Sequence, residues 1–134
     1  MATVKKAVGI RATGRRKAAI ATVILRPGTG KRTVNGREFA DYMHSDTQQM
    51  VAELPFTTLN VGADWDATLT ARGGGINGQV GAMRLAIARA LVKVSEENRK
   101  PLRAKALLTR DPRAVERKKY GRKKARKRFQ FSKR

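Results

Sequence analysis

The sequence predicts an α+β two-layer sandwich: a roughly four-stranded sheet, helices on one of its faces, and an extended basic C-terminal tail. Three observations carry that expectation. Short alternating apolar stretches punctuated by glycine and proline come first, a longer strand then runs into one amphipathic helix, and the last quarter is a charge run with no apolar period. The chain divides accordingly into a globular domain at residues 1–108 and a tail at residues 109–134.

In order along the chain, Val8, Ile10 and Ala12 fall on one side of a first strand, and "TGRR" at residues 13–16 is expected to turn it. Residues 20–25 make a second, more apolar strand, "RPGTG" at 26–30 turns again, and residues 32–34 make a short third strand before Asn35-Gly36. "REFADYM" reads as one or two helical turns. "SDTQ" at 45–48 has capping-box spacing and opens a helix expected to reach about residue 53 and stop ahead of Pro55. From Leu59 to Ala71 the alternation is strict, with Gly62 marking a bulge or break and residues 64–72 forming the stronger half.

"GGGINGQ" at 73–79 then leads into the best helix, residues 78–94, where Val80, Met83, Ile87, Leu91 and Val94 form one apolar stripe. Arg89 and Lys93 fall opposite that stripe, in solvent or on a ligand. A further helix begins at Ser95, bends at Pro101 and fades near Leu108. Asp111-Pro112 has the form of an N-cap followed by proline at the first helical position, so a short helix is expected at 112–120, closed at Gly121.

Charge limits the partners. The chain carries 31 Lys+Arg against 10 Asp+Glu, a net of +21, and the excess is uneven: residues 1–98 hold 14 basic and 8 acidic groups, residues 99–134 hold 17 and 2. A segment so charged cannot collapse alone, because its repulsion and chain entropy outweigh its apolar surface. It needs a dense polyanion. The tail lacks the broad apolar face of an interfacial helix and the chain lacks a run of about 18 apolar residues, so a membrane is not the expected partner. Phosphates spaced a few ångströms apart, with counterions to release, make nucleic acid the better one. With no cysteine and one histidine, His44, no metal centre is expected. The absence of acid before Glu38 superficially suits a transit peptide, but there is no serine before Ser45 and the pattern is strand-like, so a cleaved leader is not expected.

Three stretches could carry function. A strand, three glycines and a helix build a place where an anion approaches backbone N–H groups, which nominates Arg72, Gly73, Gly74, Gly75 and Gln79 as phosphate contacts. Gln79 stands where a Walker loop has lysine, and the glycine spacing does not fit a dinucleotide fold. The same three residues alternatively make only a tight strand-to-helix turn. Arg15, Arg16 and Lys17 form a candidate nucleic-acid contact at a hairpin tip. In the tail, Arg113, Arg117, Lys118, Lys119, Arg122, Lys123, Lys124, Arg126, Lys127 and Arg128 interleave with Tyr120, Phe129 and Phe131; guanidinium planes suit phosphates and bases, and aromatic rings stack on unpaired bases or pack into RNA crevices. Asp64 and Asp66 share one strand face, more simply as solvent-facing residues than as a metal pair, and His44 has no evident partner. No enzyme, catalytic residue, cofactor or small-molecule substrate is expected.

"TGRRKAAIATVIL", "RPGTGKRTVNGR", "RGGGINGQVGAMRLAIARAL" and "LLTRDPRAVERKKYGRKKARKRFQFSKR" together resemble the bacterial family of small-ribosomal-subunit protein nine, from about Ala12 to Arg134, with residues 37–71 matching only loosely. The resemblance implies a left-handed βαβ-containing domain like the second domain of ribosomal protein five. It implies a place in the head of the small subunit, on small-subunit rRNA and beside other head proteins, in a cytoplasmic rather than organellar ribosome. It also implies a tail threaded toward the peptidyl-site tRNA, with Ser132, Lys133 and Arg134 at the tRNA and residues 73–79 and 113–128 holding rRNA. Phe129 stands where the family commonly has proline, and Asn77 replaces a frequent serine while keeping an oxygen able to cap a helix.

Two other classes compete: a small-molecule kinase of related fold, which would need a metal-binding acid and a longer chain, and a nonspecific nucleic-acid-compacting protein. If roughly six tail cations meet phosphates, the logarithm of the RNA-binding constant falls with the logarithm of salt concentration at a slope of about −4 to −5. A salt titration of rRNA-fragment binding checks this, and a slope near zero removes the nucleic-acid reading altogether.

Overall fold

The computed structural model of the chain describes residues 9–43 and 45–130; the expectations placed on Val8, His44, Phe131, Ser132, Lys133 and Arg134 lie outside the described residues. The described elements are β1 (Ile10–Arg16), β2 (Ala19–Pro27), β3 (Arg32–Val34), β4 (Arg37–Glu38), α1 (Phe39–Tyr42), α2 (Asp46–Leu59), β5 (Trp65–Arg72), α3 (Ile76–Val94), one 3-10 turn (Glu96–Asn98) and α4 (Arg99–Ala104). The strands form an open sheet in the order β1-β2-β5-β3-β4. Its one parallel pair among them is β3 with β5, joined through α1 and α2; the others are antiparallel. This is the expected α+β class with a fifth strand added, consistent with the fold that the resemblance implied.

Several boundaries move, each for a local reason. Residues 13–16 do not turn: the ladder runs on through Gly14↔Ala21, Arg15↔Ile20 and Arg16↔Ala19, and the link is Lys17-Ala18, with Lys17 at φ 52°. The extra strand β4 exists because Asn35 and Gly36, at φ 51° and 80°, fold the chain straight back as a two-residue hairpin. Asn35 also ties that hairpin to β5, its side chain exchanging hydrogen bonds of 2.9 and 3.0 Å with the Ala71 carbonyl and amide. Ser45 caps α2 as expected, its hydroxyl accepting from the Thr47 amide, but the helix continues through Pro55. An interior proline costs about 3 kcal/mol; Pro55 sits with Ala52 and Phe56 in the buried face, and that packing offsets the loss. Leu59 therefore ends a helix instead of starting a strand, with Asn60 left-handed at its C-cap.

Alternation on the sheet sends Ala12, Ala21, Val23, Leu25, Ala67, Leu69 and Ala71 inward, leaving Arg11, Arg15, Ile20, Thr68, Thr70 and Arg72 exposed on the other face. Helix α3 covers the inner face and is buried on more than the single stripe expected. Val80, Met83, Ile87 and Leu91 are buried as expected, but so are Ala82, Ala86, Ala88 and Ala90, because α2 packs on the helix from the other side. The alanines let α3 come very close. A Cβ at Gly14 would overlap the Ala82 carbonyl oxygen and the Ala86 nitrogen. Arg89 and Lys93 are exposed, as expected, and also reach back to the sheet, donating to the β1 carbonyls of Thr13 and Arg11 at 2.8 and 2.6 Å. Leu102 and Leu107 close the end of the core.

Asp66 has a role that its sequence position did not suggest. Its Oδ1 accepts from the amides of Thr29, Gly30 and Lys31 at 3.0, 2.9 and 2.8 Å, gathering the β2–β3 loop onto β5. Those amides, that of Lys31 foremost, hold its carboxyl below the ordinary value of 3.8. Gly28 is required beside it, since a Cβ there would overlap the carboxylate. Arg32 completes the loop's attachment, donating to the carbonyls of Gly30 and Gly62 at 3.0 and 2.9 Å with its guanidinium 4.4 Å from the Phe56 ring centre.

Two outcomes are expected. Gly14→Ala forces α3 off the sheet and lowers unfolding stability by about 1–3 kcal/mol in denaturant melts. Asp66→Asn lowers the melting temperature at neutral pH. Because the folded-state value of Asp66 is depressed, its contribution is present above about pH 4 and is lost as pH falls further; the gap between parent and variant therefore closes on acidification, as thermal melts at stepped pH will read.

Candidate nucleic-acid interface

Because α3 runs antiparallel to β1, its first turn lies beside the β1–β2 hairpin tip, and the glycine loop that precedes it is pressed onto that tip. Gly73 and Gly74 take φ 76° and 60°, the left-handed region that glycine enters without a Cβ penalty. A Cβ on Gly73 would lie 2.6 Å from the Ala18 carbonyl oxygen, and one on Gly74 3.3 Å from the Ala19 nitrogen. The contact is backbone on backbone. Gly81 admits the stem of Arg16, whose Cδ occupies the place of a side chain there. Of the expected contacts, the structure thus brings together Arg15, Arg16, Lys17, Arg72, Gly73, Gly74 and Gly75 at one end of the molecule.

The start of α3 is open. Gly75 is its N-cap, with no side-chain cap and no acid in the first turn, so the amides at the positive end of the helix carry no anionic partner of their own. Asn77 does not cap it, contrary to expectation. It lies inside the helix, and its Oδ1 accepts from Gln48 Nε2 at 3.0 Å, which also draws Gln48 away from the capping box. Gln79 lies within the loop's frame: its Nε2 donates to the Gly73 carbonyl at 3.1 Å, and its Oε1 accepts from the Tyr42 hydroxyl. Sequence reasoning missed Tyr42, for which a position in "REFADYM" gives no long-range signal.

The root of the tail reaches the same end. Asp111 lies 3.6 Å from the Arg16 guanidinium and pairs with Arg113 at 2.6 Å. The Arg113 side chain first, then its amide, and Arg16 after them hold the Asp111 carboxyl far below the usual carboxylate range. A groove of about 230 Å³ lined by Arg16, Lys17, Arg113, Ala114 and Val115 joins tail to hairpin. The short helix expected at 112–120 does not form. Asp111 does accept the Arg113 amide at 3.0 Å, as an N-cap would, but residues 113–119 are exposed, and a short segment dense in like charge has no buried face to hold a helix.

Farther on, the tail bends instead of running straight. Gly121 takes φ 71°, the Lys123 amide donates to the Lys127 carbonyl at 2.8 Å, and Arg122 Nη1 donates to the Arg126 carbonyl at 3.1 Å. Glu116 and Arg126 pair at 2.7 Å, and that guanidinium holds the Glu116 carboxyl below its ordinary value. Both acids of the tail are thus tied to arginines. Lys118, Lys119, Lys123, Lys124, Lys127, Arg117 and Arg128 remain exposed, and Arg122 is half-buried.

Among the described residues no group of three or more acidic or histidine side chains could hold a metal ion, and no described helix is long and apolar enough to cross a membrane. The chain is similar to known proteins over nearly its whole length. Residues 14–134 match the family described as "Ribosomal protein S9/S16". Over 125 residues the chain is 54% identical to the small ribosomal subunit protein uS9 of Parabacteroides distasonis, covering 93% of this chain and 98% of that one. The protein of the same name from Porphyromonas gingivalis gives the same figures. That of Gemmatimonas aurantiaca is also 54% identical, over 93% of this chain and 97% of its own.

Proposed function

The chain belongs to the ribosomal protein S9/S16 family, and on that premise we propose that it is a structural constituent of the small ribosomal subunit in the bacterial cytoplasm. It holds small-subunit rRNA in the head, beside neighbouring head proteins, through the hairpin tip, the glycine loop and the cationic tail. The tail, residues 109–134, carries Ser132, Lys133 and Arg134 to the peptidyl-site tRNA. The observation that supports this reading best is convergence: Arg15, Lys17, the exposed Gly74 and Gly75, and the tail root meet at one end, around a helix start with no acid in its first turn. Such a cluster suits a run of phosphates, which can meet open amides and guanidinium forks together. Its role is binding and placement, with no bond made or broken.

The division of labour is testable. Removing residues 129–134 leaves rRNA binding and subunit assembly largely intact, because the domain and most tail cations remain, and weakens tRNA in the peptidyl site. Loss of the two cations Lys133 and Arg134 lowers the salt slope of tRNA binding by about 1.5–2. Co-sedimentation with small subunits and filter binding of tRNA measure the two effects. Failure of the truncated protein to join the subunit overturns the division, and equal affinity for duplex DNA and rRNA at matched salt favours a compacting protein.

A further inference from the structure

The bend in the tail builds a cleft. Residues 119–122 and 128–129 come together across it, and it is lined by Lys119, Tyr120, Gly121, Arg122, Arg128 and Phe129, with a volume of about 630 Å³. That lies within the range of about 300–1,000 Å³ usual for small-ligand sites. Its closure rests on three contacts already described: the Glu116–Arg126 ion pair and the Lys123 and Arg122 hydrogen bonds across the bend. Gly121, left-handed at φ 71°, makes the corner beside Tyr120, which lines the cleft together with Arg128 and Phe129.

The lining has an unusual balance. Tyr120 is 97% exposed and Phe129 61% exposed, so neither ring is used by the core, and among the described residues no carboxylate lines the cleft. Rings left in water amid cations have little to gain within this chain alone. A flat, apolar group attached to phosphate satisfies both at once: its faces cover the rings, and its phosphates meet Lys119, Arg122 and Arg128. We propose that Tyr120 and Phe129 clasp one unpaired nucleobase of a single-stranded RNA segment, with the three cations on the phosphates to either side. This rests on the RNA-binding reading above and deepens it: the tail selects for unpaired nucleotides and does not only follow charge. Stacking on aromatic faces tolerates any base, so the clasp discriminates single strand from duplex more than one sequence from another.

The test uses the full-length chain with Tyr120→Leu, Phe129→Leu and Glu116→Gln, against a single-stranded oligoadenylate carrying one 2-aminopurine and against duplex RNA of equal length, at several salt concentrations. Both rings are exposed and outside the core, so the leucine variants fold, which circular dichroism verifies. Each leucine variant is expected to lose about tenfold in single-strand affinity, with the salt slope unchanged, the 2-aminopurine quench reduced and duplex binding unaffected. Glu116→Gln separates the clasp from bulk charge. It adds net positive charge, so electrostatics alone tightens both ligands, whereas an opened clasp weakens the single strand while the duplex still tightens. Leucine variants that bind as the parent does, or that lose both ligands equally, overturn the clasp, as does tighter single-strand binding by Glu116→Gln. A parent that binds neither RNA, or binds with no salt dependence, overturns the RNA-binding reading and the clasp with it, an outcome separate from loss of the clasp alone.

Discussion

The contact on which the rest depends is the one between β1 and α3 at Gly14, where a strand and a helix touch backbone to backbone. No side chain can stand between them, since a single Cβ would overlap atoms of the helix main chain. That closeness needs small residues on the helix as well, and Ala82 and Ala86 supply them. Its effect is directional. A helix held this near to one strand, antiparallel to it, must begin where that strand ends, so the start of α3 is delivered to the hairpin tip. The glycine loop is then squeezed between the end of β5 and the hairpin, where Gly73 and Gly74 are left-handed and a Cβ on Gly73 would meet the Ala18 carbonyl oxygen. A bulkier residue at position 14 would displace the start of α3 and the glycine loop, well away from itself, through a rigid helix.

The fold also manages its few acids. Asp66 serves three loop amides, Glu96 pairs with Arg99 at 2.9 Å, Asp111 joins two arginines, and Glu116 holds the tail bend. Each of these four carboxylates satisfies a neighbour within the chain, so these anions hold local structure in place. A basic protein could reach a similar net charge by having no acids in its tail at all. Here the acids shape a segment that would otherwise have nothing but repulsion to organise it.

Much of this was legible in the sequence, and the failures share a cause. Periods of two and of about 3.6 located the strands and α3, because burial of one face imposes a period. Ser45 was legible because a cap has local chemistry, whereas Asn35-Gly36 marked the end of β3 without revealing the strand that returns from it. What could not be read was anything decided by distant packing. Pro55 looked like a stop and became an interior residue because its neighbours Ala52 and Phe56 were already buried. Asp111-Pro112 looked like a start and led to no helix because nothing lay beneath it. Gly14 looked like a turn residue and was a contact. Asp66 alternated as a surface residue should, and only the fold brought three amides to it. For the interface, the basic stretches were visible separately, but their meeting at one end required the helix that joins them.

The two cations that α3 extends over β1 have a further consequence. β1 is the outermost strand at its side of the sheet, and its outward carbonyls at Arg11 and Thr13 are the groups through which another chain's strand would add on. Lys93 and Arg89 already occupy them. A strand added at that border would have to displace both side chains, and the pair of positive charges would repel an identical copy approaching from that side.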